Sequence, residues 1–269
     1  MRKDGFVLRE FRGVRYYSCT AFDQIPHLHH GFSTRARGVS VSGESSLNLG
    51  YTSWDSIARV NENRRRFLSA LNLENSSLAT LRQVHSNRVL IIKDNRGEWN
   101  QSEGDALATG TGDIVLGVQI ADCVPILIAD PARRAVAAVH SGWRGTLARV
   151  LLQTIIEMQK AFGSKPSNLL VAAGPGIRAC CFEVGPEVAN LFESAYSKAH
   201  LATPAEGRPG KYLLDLYKAL EIQLDLAGVR VENRHDLGAC TRCRTNEFFS
   251  YRAEGPASGR LMAAIGFAR

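Results

Sequence analysis

The sequence lacks a long uninterrupted hydrophobic run. Its most apolar stretch, residues 114–128, is broken by Gln119, Asp122 and Pro125, whereas a transmembrane helix needs about 20 consecutive apolar residues. The N-terminal segment also lacks the apolar core and small-residue cleavage site of a secretory signal peptide. We therefore expect no membrane partner, with the cytoplasm as the default location.

A nucleic-acid-binding motif is absent as well. Lysine and arginine number 33 against 26 acidic residues, which gives a formal charge of +7, but the basic residues are scattered. Their one cluster, residues 64–66, lies in a predicted amphipathic helix, where a solvated face is the ordinary interpretation. No aromatic residues alternate with a basic stripe. We expect no nucleic-acid partner, while the excess charge suits small anions such as phosphate.

Cysteine is sparse, and without a signal peptide the six cysteines do not predict a disulfide framework. Metal binding or thiol chemistry is the expectation for at least one of them. The motif CTRC, residues 240–243, together with Cys180 and Cys181, raises the separate possibility of a structural zinc site or a redox dithiol. A single CxxC motif is a weak signal, and the adjacent pair does not repeat it.

Strand and helix patterns mix without a regular βαβ alternation, which predicts an α+β or mixed α/β fold. We expect one sandwich-like domain over residues 1–269, with a central mixed sheet and flanking helices. Strands are predicted within residues 78–94, 113–120, 124–130, 133–142, 168–176 and 261–267, and helices over residues 54–71, 146–162, 186–196 and 213–228. Thr146 is the expected N-cap of the second helix, and residues 31–50 are expected to form a polar loop.

Three residues stand out as candidate metal ligands: His85, Cys123 and His140. Their spacing is far wider than that of a zinc finger, so only the fold can bring them together. One thiolate and two imidazoles match the preference of zinc, and three protein ligands leave a fourth position open for water or substrate. A pure packing role is the alternative, but their polar neighbours, such as Asp122 and Ser141, favour chemistry.

The same residues allow a second interpretation as a metal-independent thiol hydrolase. Cys123 would be the nucleophile, His140 the general base, and Asp122 or Gln83 the residue that orients the base. The sequence does not separate a zinc-bound thiolate from a thiolate paired with histidine.

Several polar residues are candidates for substrate binding. Arg144 lies at a predicted helix start, where a helix N-terminus beside a guanidinium suits phosphate. Arg35 and Arg178 are weaker candidates of the same kind, Asn48 is a candidate for a ribose or base contact, and Gln83 lies beside His85. The HxH pattern at residues 27–29 suggests copper, but the further His-Cys-His clusters of a laccase are missing near the C-terminus.

Longer motifs in the sequence resemble one protein family. RQVHS, IADCVPILIAD, AAVHSGWRG, GPGIRACCFEVG and FFSYRAEG, with HGFSTRARGVS and SLNLG upstream, are similar to laccase-domain proteins. These were once called multicopper polyphenol oxidoreductases and are now regarded as purine nucleoside phosphorylases with adenosine deaminase activity. The resemblance runs from about residue 30 to the C-terminus. It implies a zinc site at His85, Cys123 and His140, and a fold related to cysteine-hydrolase-like toxins.

The sequence departs from the family pattern at Ile120, Ser141 and Cys243, none of which is one of the three ligands His85, Cys123 and His140. The resemblance implies a zinc-dependent enzyme that cleaves adenosine, inosine and related nucleosides, including methylthioadenosine, with phosphate, and that deaminates adenosine. The alternatives are a cysteine amidase acting on peptide or cell-wall-precursor amides and, with less support, a copper phenol oxidase. The oligomeric state is not predicted, and a monomer is compatible with the sequence.

Overall fold

The fold is built mainly from β-strands. The computed structural model describes residues 1–2, 5–41, 46–95, 97, 99–196 and 199–268. In these residues the strands are β1 Phe6–Phe11, β2 Val14–Cys19, β3 Leu28–Ser33, β4 Ala36–Ser40, β5 Ser77–Ala79, β6 Val89–Ile92, β7 Ala106–Thr109, β8 Ile114–Ile120, β9 Val124–Asp130, β10 Ala135–Ser141, β11 Leu170–Ala173, β12 Glu183–Val184, β13 Ala202–Pro204, β14 Tyr212–Leu214, β15 Arg234–Asp236 and β16 Leu261–Phe267.

Helices connect and cover these strands. They are α1 Thr20–Asp23, α2 Ile57–Ala70, α3 Trp143–Leu147, α4 Val150–Phe162, α5 Pro186–Ala195, α6 Leu216–Ala227 and α7 Tyr251–Glu254, with single 3₁₀ turns at Trp99–Gln101, Pro166–Asn168, Val231–Asn233 and Gly255–Ala257. Within the described ranges, none of these helices has both the length and the apolar character needed to cross a bilayer.

Most strands belong to two six-stranded sheets. Sheet 1 has the order β1-β2-β3-β16-β8-β5, and sheet 2 has the order β15-β11-β9-β10-β7-β6. Sheet 3 is small, with the order β12-β14-β13. Sheets 1 and 2 are both mixed, because β5 joins β8, β6 joins β7 and β15 joins β11 in parallel, while their other pairs are antiparallel.

Alternation along the strands explains how the layers stack. In β10, Val136 and Ala138 pack against sheet 1, whereas Ala137 and Val139 point to the core under α4 and α6. On the opposite side of sheet 1, α2 packs Phe67 and its apolar neighbours onto β8 and β16. The layers are therefore α2, sheet 1, sheet 2, and then α4 with α6.

The prediction of a mixed α/β fold with flanking helices is confirmed, but the single central sheet is wrong. β8 and β9 follow each other with only three residues between them, yet they lie in different sheets. Apart from Gln119 in β8 and Asp130 in β9, both strands are apolar because their residues are buried on both faces. The sequence of such a strand lacks the alternation of apolar and polar residues, so it does not indicate which sheet the strand joins.

Three predicted helices differ from expectation, since α2 and α6 each begin three residues later than predicted and a third is interrupted. Helix α2 begins only after Ser56, whose hydroxyl accepts a hydrogen bond from the Arg59 N–H. The predicted helix over residues 146–162 is interrupted, since Arg149 adopts a left-handed φ of 61° between α3 and α4. Thr146 is not an N-cap: it is buried inside α3, and its hydroxyl lies 2.8 Å from that of Ser141.

The predicted loop over residues 31–50 contains more regular structure than expected. Its first residues belong to β3, and β4 follows almost at once. Residues 42–45 of this predicted loop lie outside the described residues.

Candidate metal centre and its cavity

The three predicted ligands meet where the chain passes between the two large sheets. His85 lies on the connection from β5 in sheet 1 to β6 in sheet 2. Cys123 lies on the connection from β8 in sheet 1 to β9 in sheet 2. His140 is in β10, paired with Pro125 in the neighbouring strand β9. The strand pairing places the start of β9 beside the end of β10, so Cys123 and His140 are neighbours.

The donor atoms of this triad form a compact group. One donor atom from each residue lies within 4.8 Å of the others, and Cys123 Sγ is 3.8 Å from His85 Nε2. The two imidazole rings are 5.0 Å apart and nearly perpendicular, at 72°. One sulfur and two nitrogens at this separation suit a single four-coordinate cation with one open position.

A glycine makes this close approach possible. A Cβ atom on Gly142 would lie 2.8 Å from His85 Cδ2 and 2.9 Å from Cys123 Sγ. Both distances are shorter than van der Waals contact, so a larger residue here would displace the two side chains. The motif SGWRG therefore places a glycine where the backbone touches two of the three candidate ligands.

Asp105 organises two of the three ligands. Its carboxylate accepts hydrogen bonds from the backbone N–H of His85 at 2.9 Å and of Ser86 at 2.5 Å, and holds His85 in a left-handed turn with φ of 59°. It also lies 2.8 Å from His140 Nδ1. A proton on Nδ1 donated to this carboxylate leaves Nε2 of His140 with its lone pair for a cation.

Sequence reasoning missed Asp105. It also named the wrong candidates for orienting His140, since the residue bonded to this imidazole is neither Asp122 nor Gln83. The available signal was a single acid directly before the buried strand ALAT, which is common at strand ends and points to no particular partner.

Electrostatic coupling in the triad favours a charged sulfur. Burial by itself raises the pKa of Cys123, but the charge and hydrogen bond of His140, with a further hydrogen bond from His85, lower it to about 6. Burial likewise opposes the charged form of His140, but Cys123 and Asp105 raise its pKa to about 9. Without a cation, these two groups therefore favour a thiolate–imidazolium pair.

Asp122, next to Cys123, ties the site to the C-terminal part of the chain. It has a left-handed φ of 89°, and its carboxylate accepts bonds from the hydroxyls of Thr241 and Ser250 at 2.7 Å and from the Arg252 N–H at 2.6 Å. Its role is to hold the connection that carries Cys123 against residues 241–252.

The triad forms one wall of a cavity of about 600 Å³. Leu81, Ile120, Ile177 and Phe182 supply an apolar surface, and Gln119 supplies a polar one. The lining also includes three C-terminal residues that the sequence interpretation did not identify: Tyr251, Arg252 and Arg260. Their positions follow from the Asp122 contacts and from β16, which begins directly after Arg260.

Of the predicted substrate-binding residues, Gln83 lies in the cavity lining. Its amide is fixed to the backbone of Gln119, donating to the carbonyl at 2.7 Å and accepting from the N–H at 2.8 Å. Asn48 does not line the cavity and is fully buried. Its side-chain oxygen accepts a bond of 2.9 Å from the Arg260 N–H, so Asn48 positions a lining residue.

The three predicted arginines also lie outside the cavity lining. Arg35 pairs with Glu254 at 2.7 Å and stacks on Phe249. Arg178 pairs with Asp236 and lies 3.6 Å above the ring of Tyr217. Arg144 is exposed and stacks on its neighbour Trp143.

Comparisons with known proteins agree with this architecture. The chain is 39% identical over 241 residues to a purine nucleoside phosphorylase of Deinococcus radiodurans, with 89% of each chain covered. It is 34% identical over 240 residues to the adenosine deaminase RL5 from an unknown prokaryotic organism, covering 87% of this chain and 91% of that one. The crystal structure of YlmD from Geobacillus stearothermophilus superposes with a TM-score of 0.85 at 30% identity, over 99% of this chain and all of the other.

A family model matches residues 29–268, which include all three candidate ligands and every residue named in the cavity lining. That match covers most of the sequence and agrees with the resemblance carried by the motifs. The chain therefore belongs to the family described as multi-copper polyphenol oxidoreductase laccase.

Proposed function

We propose that this chain is a zinc-dependent purine nucleoside phosphorylase that also deaminates adenosine. Its substrates would be adenosine, inosine and related nucleosides, including methylthioadenosine, together with phosphate. The observation that carries the proposal is the convergence of His85, Cys123 and His140 on a cavity whose lining also includes Arg252 and Arg260. Relatives named purine nucleoside phosphorylase and adenosine deaminase support the same reaction classes.

The cavity suits a nucleoside in size and in character. Its volume of about 600 Å³ lies within the usual range for small-molecule sites. Phe182 and the half-exposed Tyr251 offer aromatic surfaces for a purine ring. The carbonyl and amide groups of Gln83 are already bonded to Gln119, so Gln83 shapes the wall and leaves base recognition to other groups.

Two arginines replace the predicted ones as phosphate-binding candidates. The backbone of Arg252 is anchored to Asp122, and its guanidinium donates to the Glu183 carbonyl at 2.9 Å. The Arg260 guanidinium donates to two backbone carbonyls, of Ser258 and Gly259, at 2.9 Å. Cations held in place in this way bind a phosphate without first losing side-chain freedom.

In phosphorolysis a phosphate oxygen forms a bond to the ribose C1′, the bond from C1′ to the purine nitrogen breaks, and the purine takes up a proton. Arg252 and Arg260 would hold the phosphate charge, and the apolar wall would exclude water from C1′. In deamination, water replaces the amino group at the purine C6 and ammonia leaves. Zinc, when bound, supplies Lewis-acid activation of a water at neutral pH. His85, Cys123 and His140 would hold it, with Asp105 fixing the tautomer of His140.

The first experiment measures metal content together with phosphate-dependent release of base from adenosine, inosine and methylthioadenosine. We expect zinc in the purified protein, and we expect Cys123→Ala to lose the zinc of the triad and both reactions. Full activity after complete removal of metal would refute the zinc-dependent mechanism. Zinc without turnover of any nucleoside would refute the substrate class.

The phosphate assignment has its own test. We expect Arg260→Gln to raise the KM for phosphate by about tenfold or more, since a charge-assisted hydrogen bond contributes roughly 1.5–3 kcal/mol, and to affect deamination less. Arg144→Ala is the matched control and is expected to leave this KM unchanged. A raised KM for phosphate in Arg144→Ala, with an unchanged KM in Arg260→Gln, would instead place phosphate at the start of α3, as the sequence alone suggests.

A second candidate function rests on the bonded series Cys123–His140–Asp105. A thiolate, an imidazole and a carboxylate in this order also form the catalytic group of a cysteine hydrolase. In that case the substrate would be a peptide or cell-wall-precursor amide, chelators would leave activity unchanged, and iodoacetamide would abolish it. Amide hydrolysis by metal-free protein, with no nucleoside turnover, would favour this alternative.

Copper is the weaker candidate for the triad. A copper site with two histidines and one cysteine usually has a weak axial methionine, and no methionine is present among the described residues of the cavity lining. Oxygen uptake with a phenol, in protein that contains copper, is the measurement that would support the oxidase alternative.

A further inference from the structure

A second cluster of sulfur atoms lies outside the cavity lining. The side chains of Cys180, Cys181, Cys240 and Cys243 place their four Sγ atoms within 4.8 Å of one another. We propose that this four-cysteine cluster binds a second divalent cation of the zinc type, with a structural role. The inference goes beyond the nucleoside reaction and does not depend on it.

The distances between the sulfurs fit a single tetrahedral ion. Cys243 Sγ is 3.6 Å from Cys180 Sγ and 3.3 Å from Cys181 Sγ. A zinc–sulfur distance of about 2.3 Å implies sulfurs about 3.8 Å apart at the corners of a tetrahedron. A disulfide needs about 2.05 Å between its sulfurs, and the four cysteines are unbonded in the structure. Four thiolates with no other donor are a typical ligand set of structural zinc.

Two separate turns supply the ligands. Cys240 and Cys243 form the CxxC turn, in which the Arg244 N–H donates to the Cys240 carbonyl at 3.1 Å. Cys180 and Cys181 lie on a turn in which the Cys181 N–H donates to the Arg178 carbonyl at 2.8 Å.

Charge near the cluster also suits a bound cation. Zinc with four thiolates carries a net charge of −2, because four thiols release four protons when they bind one Zn²⁺. The Arg242 guanidinium lies 3.9 Å from Cys181 Sγ and partly balances that charge.

A cation bound by the four cysteines would connect two segments that line the cavity. Residues 176–182 contribute Ile177 and Phe182 to the cavity, and residues 240–252 contribute Tyr251 and Arg252. Between these segments the backbone offers a single bridge at Gly176 and Cys240, and both segments are otherwise largely turns. A cation shared between them would join two walls of the cavity, much as a disulfide joins two loops.

The test uses the full chain carrying Cys123→Ala, which removes a ligand from the triad. We expect this variant to retain about one equivalent of zinc per chain. We expect it to lose that zinc when Cys180→Ser and Cys243→Ser are added, both at exposed positions. Adding Cys19→Ser instead, at a buried cysteine outside both sites, is the control and should leave the zinc in place.

A spectrum gives a second measurement of the four-cysteine cluster that does not need the added serine substitutions. Cobalt(II) bound to the Cys123→Ala protein should give the strong sulfur-to-cobalt charge-transfer absorption of a site with four thiolates. Absence of both zinc and this absorption in Cys123→Ala would overturn the proposal. An intact mass reduced by two hydrogens per bridge, in protein purified without a reductant or an oxidant, would also overturn it and assign disulfides instead.

The structural role has a separate readout in hydrogen exchange. We expect amides in residues 176–184 and 239–250 to exchange faster once zinc is removed from the four-cysteine cluster, while β9 and β10 keep their protection. Equal exchange with and without the metal would show that the ion does not join these segments.

Discussion

At the scale of single residues, Asp105 is the side chain on which the candidate metal centre depends most. It is fully buried, and burial alone would raise its pKa. Hydrogen bonds from His140 and Ser86 outweigh burial and lower the pKa to about 2. In the unfolded chain this carboxyl has a pKa of about 3.9, so the charged form is the one that folding favours.

This shift predicts a pH dependence of stability. Because the folded-state pKa is the lower one, Asp105 contributes about 2 kcal/mol above pH 4, and the contribution is lost as the pH falls towards 2. We expect wild-type protein to exceed Asp105→Asn in free energy of unfolding at pH 5, and the difference to shrink by pH 2. Urea unfolding of both chelator-treated proteins at pH 5 and pH 2 measures this difference in free energy of unfolding.

Glu62→Gln is the matched control for this experiment. In the wild-type protein the pKa of Glu62 is also lowered to about 2, by hydrogen bonds from Arg65 and Arg66. These three side chains are on the surface, however, where solvent screens the interaction. We expect a much smaller pH-dependent difference for this variant. An effect as large as that of Asp105→Asn would contradict the importance assigned to burial.

Gly142 gives a second prediction at the same scale. A methyl group there would lie within 3 Å of both His85 and Cys123, so Gly142→Ala should reduce zinc affinity at the triad by about 10- to 100-fold, as other changes around metal ligands do. Competition with a chromophoric chelator measures this affinity. Gly112→Ala is the control: its added carbon would lie 3.9 Å from the nearest atom, so this variant should bind zinc normally. An equal loss of zinc affinity in both variants would show that the close contact at Gly142 is not the cause.

Individual ligands could be predicted from the sequence because a cysteine and two histidines interrupt apolar stretches, and the family motifs mark the same positions. Arg252 and Arg260 could not be predicted in this way. They reach the cavity only through backbone bonds to Asp122 and Asn48, and such long-range bonds leave no local pattern. Arg144 was predicted from a helix start, a feature that says nothing about which way the side chain faces.

At the scale of elements, the break between α3 and α4 is stabilised by bonds from other helices. The Thr146 carbonyl accepts a hydrogen bond from the Arg149 N–H at 3.0 Å, and it also accepts from the Gln223 amide at 3.0 Å and from the Tyr196 hydroxyl. Gln223 also accepts from the Leu152 N–H at 3.2 Å. One buried side chain of α6 therefore connects α3 to α4.

We expect Gln223→Met to lower the free energy of unfolding by about 1–3 kcal/mol, because it leaves buried polar groups without partners. Urea unfolding measures the loss. Gln153→Met, the same exchange at a partly exposed position of α4 where the amide bonds only to Glu157, should change stability by less than about 0.5 kcal/mol. A loss of similar size in both variants would mean that the amide of Gln223 is dispensable.

Helices and central strands were predictable as elements, since their apolar periodicity and terminal residues such as Gly228 are local signals. The interruption at Arg149 was not, because residues 146–162 keep a helical pattern of apolar residues across it. The bonds that favour the break come from residues 50 to 77 positions away.

At the scale of the whole molecule, the triad takes its residues from connections between the two large sheets. Metal binding at this place should therefore stabilise the entire fold, by about 2.7 kcal/mol at a zinc concentration 100 times the Kd. We expect zinc to raise the Tm of metal-free wild-type protein by about 5 °C or more. Cys123→Ala should gain less, and an equal gain would show that the triad does not bind the ion.

The mixed α/β class was predictable from the order of elements, but the pairing of sheets 1 and 2 was not. Assigning β8 and β9 to separate sheets depends on three residues, 121–123, in which Asp122 adopts a left-handed backbone. The contacts of Asp122 with Thr241, Ser250 and the Arg252 N–H, far along the chain, stabilise that turn.

The position of β16 has a consequence for synthesis of the protein on the ribosome. This strand pairs with β3 on one side and β8 on the other, yet it follows all the other strands of sheet 1 in the chain. A nascent chain therefore leaves the edges of β3 and β8 unpaired until residues 261–267 have emerged, and unpaired apolar strand edges favour aggregation during that time.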